Sequence, residues 1–305
     1  MKVLVATEKP FAPAAINGIK NTLEEAGHDV TLLEKYTDHE DLLHAVEEAE
    51  ALIVRSDKIT RDVLDHAPQM KIIVRAGAGY DNIDIAYAKQ KGIVVENTPG
   101  QNSNAVAELV FGLLVYAIRN FYNGKSGREL KGKKLGILAF GNVGRNVARI
   151  AKGFGMEVFA YDAYCPTEVI EASGVKAVEN IETLFSSCDV VSLHIPATEE
   201  TKRSIGQKLV AQMKKDAILV NTARKEVIDE DGLLTVLRER EDLKYVTDIM
   251  PDTDNEFQNL AGRYFSTPKK MGAQTSEANT NAGLAAANQI NAYFSEGSTK
   301  YQVNR

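Results

Sequence analysis

Three arginines and a pair of lysines carry the chemistry this sequence could do. Arg55 closes the apolar run "ALIVRS", Arg75 closes "KIIVRAGAG", and Arg224 follows "AILVNTAR". A guanidinium offers a rigid fork of donors that grips a carboxylate or phosphate through two parallel hydrogen bonds, which an ammonium cannot do. Residues just past the C-terminal ends of strands line the ligand crevice of open α/β sheets. Arg55 and Arg75, converging with Asn102, would form a basic pocket suited to a dianionic phosphate. The plainer alternative is that these arginines pair with carboxylates. Lys269 and Lys270 lie in "STPKKMGAQT", behind a strand-like run and a Thr-Pro turn. A solvated turn explains them. A proton donor explains them too, because a lysine with its ordinary pKa near ~10.4 holds its proton at neutral pH. Its ammonium can polarise a keto oxygen and protonate it.

A second site is written in "GILAFGNVGRNVA". Gly141 and Gly144 fill the second and third glycines of a G-x-G-x-x-G fingerprint, with Asn142 and Val143 between them and Ala139 at the first position. Gly141 would let the backbone approach a pyrophosphate, and Gly144 would let the helix pack close to the strand. The N–H groups that open the helix would then face the phosphates. Asp162 ends "EVFAYD", at the distance expected of the acid that binds a ribose 2′-hydroxyl. Ala163 and Tyr164 follow it, with no arginine to hold a 2′-phosphate, so NAD is expected rather than NADP. The alternatives are an ordinary βα turn and a loop carboxylate without a ligand.

These residues need a scaffold, and the pattern supplies one. Short apolar runs alternate with amphipathic stretches: "KVLVA", "VTLL", "ALIV", "KIIV" and "IVV" first, then "KKLGILAF", "EVFAYD", "DVVSLHIP", "AILVNT" and "LKYVTD". Fully apolar strands alternating with helices predict parallel sheets covered on both faces. The near-continuous apolar segment "NAVAELVFGLLVYAI" predicts a buried helix, capped by Ser103 or Asn104. The last helix, from Ser276, should return to the first domain. The expected fold is therefore α/β with two Rossmann-like domains. Residues 1–98 with 280–305 would bind substrate, residues 99–279 would bind NAD, and the active site would lie in the cleft between them.

The bulk numbers narrow the function. The chain has 305 residues and a net charge of −6, which argues against nonspecific nucleic-acid binding. Cys165 and Cys188 are the only cysteines and form no CxxC, so no disulfide framework or metal site is expected. With no apolar run of membrane-spanning length and no signal-like N-terminus, a cytoplasmic protein is expected.

Five stretches in the same order resemble the D-isomer-specific 2-hydroxyacid dehydrogenase family: "KIIVRAGAGYDNID", "NTPGQNSNAVAELV", "GILAFGNVGRNVA", "SLHIPATEETK" and "VNTARKEVIDEDGL". Within it they are most similar to the short phosphoglycerate dehydrogenases. The resemblance implies NAD-dependent hydride transfer at C2 of a 2-hydroxy acid, here 3-phospho-D-glycerate, at the entry to serine synthesis. It also implies a homodimer. Arg224 matches the active-site arginine. Arg55, Ser56, Arg75, Gly77, Ala78, Gly79 and Asn102 match substrate-binding positions. His194, Pro196, Thr222, Ala223, Asp248 and Gly272 match positions near the cofactor.

Two departures stand out. The family's catalytic histidine, in a Thr-Pro-His-x-Gly turn, is replaced by Lys269 or Lys270. Counting from Pro268 gives the first, and counting back from Gly272 gives the second. The family's paired glutamate falls on Thr253, between Asp252 and Asp254. A carboxylate that raises a histidine's pKa would push a lysine further from neutrality, so its loss fits the exchange. Two alternatives stay open: a glyoxylate or hydroxypyruvate reductase, and a non-catalytic NAD(H)-dependent binding protein of the corepressor kind.

Overall fold

The computed structural model describes residues 1–260 and 262–305. The chain divides into two compact units, 1–102 with 274–305 and 103–273. The divisions fall at 102/103 and 273/274 rather than at 98/99 and 279/280. Thr98 N–H bonds the Gly77 carbonyl, which keeps the turn after the last strand in the first unit. The whole of the last helix, Ser276–Glu296, packs with that unit too.

The first unit holds a five-stranded parallel sheet: β1 (Lys2–Thr7), β2 (Asp29–Glu34), β3 (Ala51–Val54), β4 (Ile72–Arg75) and β5 (Val94–Asn97), in the order β2-β1-β3-β4-β5. Every residue of β3 is buried, as a strand covered on both faces requires. One face takes α1 (Pro13–Glu24) and the last helix. The other takes α2 (His39–Val46), α3 (Arg61–Asp65) and α4 (Ile85–Gln90). The last helix approaches α1 closely at small residues. A Cβ on Gly283 would stand 2.6 Å from Ile19 Cδ1, and one on Gly18 2.9 Å from Leu284.

The second unit opens with the apolar helix α5 (Ser103–Ile118), whose buried side chains join the core of this unit. Its sheet comprises β6 (Lys134–Leu138), β7 (Glu157–Tyr161), β8 (Lys176–Ala177), β9 (Val190–Leu193), β10 (Ile218–Asn221), β11 (Lys244–Thr247) and β12 (Tyr264–Ser266). All pairs are parallel, in the order β12-β11-β10-β9-β6-β7-β8. The winding reverses between β6 and β9, so the loops leaving those two strands splay apart and make the crevice where such sheets bind ligands. Helix α6 (Asn142–Gly153) follows β6, and α7 (Glu230–Glu239) follows β10. No helix among the described residues is long and apolar enough to cross a membrane.

Candidate active site

The loop leaving β6 has the form a pyrophosphate needs. Ala139 is left-handed, at φ +78°. That is the conformation for which the fingerprint's first glycine exists, and an alanine adopts it at a cost of roughly 1 kcal/mol. Strand β6 therefore stops at Leu138, short of the expected Phe140. Gly144 has no room for a side chain, since its Cβ would stand 2.3 Å from the Ala139 carbonyl oxygen. Gly141, at φ −78°, has ordinary dihedrals and nothing within 4 Å of a Cβ. The chain's own packing does not call for glycine there, but the close approach of a ligand does. Gly141 caps α6, and Asn142 and Val143 form its first turn. These features fit a dinucleotide.

Asp162 follows β7 and is fixed by three backbone donors. Its Oδ1 accepts from Tyr164 N (2.8 Å) and Cys165 N (2.9 Å), and its Oδ2 from Phe140 N (2.7 Å). Across the crevice, His194 follows β9 and donates its backbone N–H to the Leu138 carbonyl. Its Nε2 lies 3.0 Å from Ser192 Oγ, and burial pushes its pKa down to about 3. This imidazole is neutral and is no acid at working pH. The Pro196 carbonyl accepts Thr201 Oγ1 at 2.5 Å, tying off the same loop.

The turn after β10 carries Thr222, Ala223 and Arg224. Asn221 shapes it with one amide, Oδ1 accepting Ala223 N (3.0 Å) and Nδ2 donating to the Arg224 carbonyl (2.9 Å). Thr222 Oγ1 is buried and has no hydrogen-bond partner among the described residues. Arg224 is half-buried; its Nη1 bonds the Ala223 carbonyl, and it pairs with no carboxylate among the described residues. Asp248 is fully buried at the end of β11. Its Oδ1 accepts Thr267 Oγ1 (2.9 Å) and Met271 N (2.7 Å), and its Oδ2 accepts Gly272 N (2.7 Å). Asp248 thus holds the turn that presents Lys269 and Lys270, both exposed.

None of the three candidates for the missing glutamate is uncommitted. Asp252 pairs with Lys225, and Asp254 Oδ1 accepts Tyr264 OH at 2.5 Å. Thr253 gives both its N–H and its hydroxyl to Glu230.

In the first unit the expected substrate residues cluster at the strand ends. Arg75 Nε donates to the Arg55 carbonyl at 2.8 Å. Arg75 also lies over Gly77, where a Cβ would stand 1.4 Å from Nη1; Gly77 has φ +154°. The Ala78 carbonyl accepts Asn97 Nδ2 (2.6 Å), Gly79 and Asn102 are half-buried, and Ser56 is exposed. Arg55 is less available than its position suggested. Its Nη1 bonds the Lys9 and Pro10 carbonyls at 2.9 Å, its Nη2 bonds Asn279 Oδ1 at 2.7 Å, and its guanidinium lies 5.1 Å over Phe11. Of its five N–H donors, two remain unused among the described residues. Burial also lowers its pKa.

Asp57 and Asn279 went unnoticed in the sequence. Asp57 is buried, and its Oδ1 accepts Glu8 N (2.7 Å) and Tyr36 OH (2.8 Å). Nothing in the sequence signals Asp57, which stands in the polar run Arg55-Ser56-Asp57-Lys58.

Comparison with known proteins is consistent with this geometry. The family description "D-isomer specific 2-hydroxyacid dehydrogenase, NAD binding domain" matches residues 116–267. A D-3-phosphoglycerate dehydrogenase of Methanocaldococcus jannaschii is 41% identical over 82% of this chain, which spans about half (51%) of that protein. A hydroxypyruvate reductase of Thermotoga maritima is 36% identical over 86% of this chain and 90% of its own. A crystal structure of NAD+-bound 3-phosphoglycerate dehydrogenase from Entamoeba histolytica superposes with a TM-score of 0.90. It is 49% identical and covers 100% of this chain and 99% of its own.

Proposed function

The chain belongs to the D-isomer-specific 2-hydroxyacid dehydrogenase family, and we propose that it interconverts 3-phospho-D-glycerate and 3-phosphohydroxypyruvate with NAD, the step that leads towards serine. The full-length likeness to the NAD+-bound Entamoeba histolytica enzyme carries this reading. NAD is the cofactor: Gly141, Gly144 and the neighbouring helix N-terminus would receive its pyrophosphate, and Asp162 its ribose. Bound NAD accepts or returns a hydride at its nicotinamide ring.

The protein's residues do the rest. Arg224 grips the substrate carboxylate and the C2 oxygen through its fork. In reduction, Lys270 or Lys269 gives its proton to the keto oxygen as the hydride reaches C2, and in oxidation it takes that proton back. Asp248 keeps the lysine turn in place. Gly77, Ala78, Gly79 and Asn102 receive the carboxylate, and Arg75, with the remaining donors of Arg55, receives the phosphate. The linked arginines favour the phosphorylated substrate over glyoxylate or hydroxypyruvate, neither of which has a phosphate to meet them.

The reading includes a cytoplasmic homodimer. Its support is the pair of free cysteines and the apolar surface beside α5, where Tyr122 is 66% exposed and Tyr116 half-buried.

The test is steady-state NADH oxidation with 3-phosphohydroxypyruvate, hydroxypyruvate and glyoxylate. The phosphorylated acid should give the highest kcat/KM, Arg224→Ala should abolish turnover while NADH still binds, and Lys270→Ala or Lys269→Ala should lose kcat. Failure of all three acids would leave the NAD(H)-dependent binding protein as the better reading.

A further inference from the structure

Arg224 has no carboxylate to steady it among the described residues, and its guanidinium bonds the carbonyl of its own neighbour, Ala223. Its place is set by the main chain that carries it. Asn221 shapes that chain before the arginine, with one amide that meets both Ala223 N and the Arg224 carbonyl. Beyond the arginine, the hold comes from the next connection, the one leaving β11. Lys225 pairs with Asp252. Glu230, the first residue of α7, then takes three donors from the same place. Its Oε1 accepts Asp252 N at 2.9 Å, and its Oε2 accepts Thr253 N (2.9 Å) and Thr253 Oγ1 (2.6 Å). These partners lie 22 and 23 residues away along the chain, so the bonds are no local turn. Thr253 stands at the N-cap of the short helix Asp254–Gln258, where a threonine hydroxyl ordinarily accepts an N–H of its own helix. It makes no such bond and donates to Glu230 instead.

We infer that Glu230 is a positioning residue for the reaction: through Asp252 and Thr253 it clamps the connection after β11 to the one that carries Arg224, and so holds the guanidinium where the substrate carboxylate and C2 oxygen meet it. The role rests on Arg224 being the residue that grips substrate. The two connections are already joined at their roots, where Thr247 Oγ1 lies 2.9 Å from the Asn221 carbonyl. Glu230 joins them again farther along, and a segment tied on both sides of Arg224 has little freedom to carry it away. A carboxylate suits the task. It is acceptor-only, with lone pairs for all three donors, and hydrogen bonds to an ionised acceptor are the strong kind. An amide in its place would turn an NH2 group towards one of them. The clamp also gives Thr253 a use. Where the family resemblance calls for a glutamate, this chain has a pair of donors, and the carboxylate arrives from α7 to meet them.

The experiment has two readouts. One is kcat and KM for 3-phosphohydroxypyruvate with NADH. The other needs no turnover: the affinity of the NADH complex for oxalate, whose two carboxylates mimic the substrate carboxylate and C2 oxygen, followed by nicotinamide fluorescence. Glu230→Gln should lower kcat/KM and weaken oxalate by about tenfold or more, the scale on which small displacements of a binding group act, with NADH affinity unchanged. Arg238→Gln breaks the pair with Glu256 that joins the same two segments away from Arg224, and should leave activity as it is. In an Arg224→Lys protein the fork is already gone, so adding Glu230→Gln should cost oxalate affinity less than about threefold more. Should Glu230→Gln fold poorly, Thr253→Val removes one donor from the other side and should lose several-fold in both readouts, and Thr253→Ser should restore most of that loss. A wild type that binds oxalate and turns over no keto acid would sink the proposed reaction, and the oxalate comparison would still decide the role of Glu230. The inference falls if neither Glu230→Gln nor Thr253→Val changes either readout, or if Glu230→Gln costs as much oxalate affinity in the Arg224→Lys protein as in wild type.

Discussion

Asp248 takes the backbone N–H of Gly272 on one carboxylate oxygen and that of Met271 on the other, each at 2.7 Å. With Thr267 on the near side, the segment carrying both lysines is fastened at its two ends to one buried side chain. Asp248→Asn turns an N–H towards one of these donors and leaves it unmet. The expected loss is about 1–3 kcal/mol in urea denaturation, with kcat falling more than KM rises. Wild-type stability and kcat in this variant would remove the brace from the mechanism.

Ala139 and Gly144 make opposite predictions. Ala139→Gly relieves a left-handed alanine and should stabilise the protein by up to about 1 kcal/mol with NADH binding retained. Gly144→Ala drives a methyl into the Ala139 carbonyl and should destabilise by several-fold more than the Ala139 change gains, while weakening NADH. Urea titrations with and without NADH separate the two effects. An Ala139→Gly protein less stable than wild type would contradict the strain.

His194 should make stability fall in acid. Its folded-state pKa, near 3, lies below the ordinary 6.5, so the unfolded chain binds a proton that the folded protein refuses. Its contribution is complete above pH 6.5 and is lost as pH drops from there towards 3, by at most about 1.4 kcal/mol per unit. Denaturation midpoints between pH 7 and 4 should decline more steeply for wild type than for His194→Gln. Parallel curves would show that His194 charges without cost.

Tyr36 and Asp57 should tune the substrate pocket from beneath. The Asp57 carboxylate orders Glu8 and, through Arg55 N at 3.2 Å, the start of the segment whose carbonyl orients Arg75. Burial and the Asp57 hydrogen bond raise the Tyr36 pKa, so the phenol stays a donor throughout the physiological range. Tyr36→Phe should raise KM for 3-phosphohydroxypyruvate about threefold to tenfold, the net worth of one ordinary hydrogen bond, with a smaller change for hydroxypyruvate. Equal changes for both substrates would make the effect general rather than specific to phosphate.

The alternation of apolar runs made the two parallel sheets readable, because strands covered on both faces carry few polar interruptions. "ALIV" begins and ends where β3 does. The glycine fingerprint was equally plain, since its constraints are local backbone geometry. What could not be read were relations between distant segments. Arg55 looked like an open anion receptor at a strand end, yet the carbonyls of Lys9 and Pro10 and the amide of Asn279 claim most of it. Arg145, which nothing in the sequence singled out, stands beside the Asp162 loop. Thr253 looked like a lost glutamate, and its hydroxyl proves to be tied to Glu230. Spacing along the chain carries no information about such encounters.

The fastening of the lysine turn has a bearing on how such an enzyme can change its acid. The hold of Asp248 on the turn is on two main-chain N–H groups and one threonine hydroxyl. The mounting is therefore blind to what is mounted. A histidine there could give way to a lysine, and the loop could absorb an extra residue, while β11, β12 and their bracket stayed as they were. Exchange of the proton-handling group, the most drastic alteration an active site can undergo, becomes on this architecture a local edit.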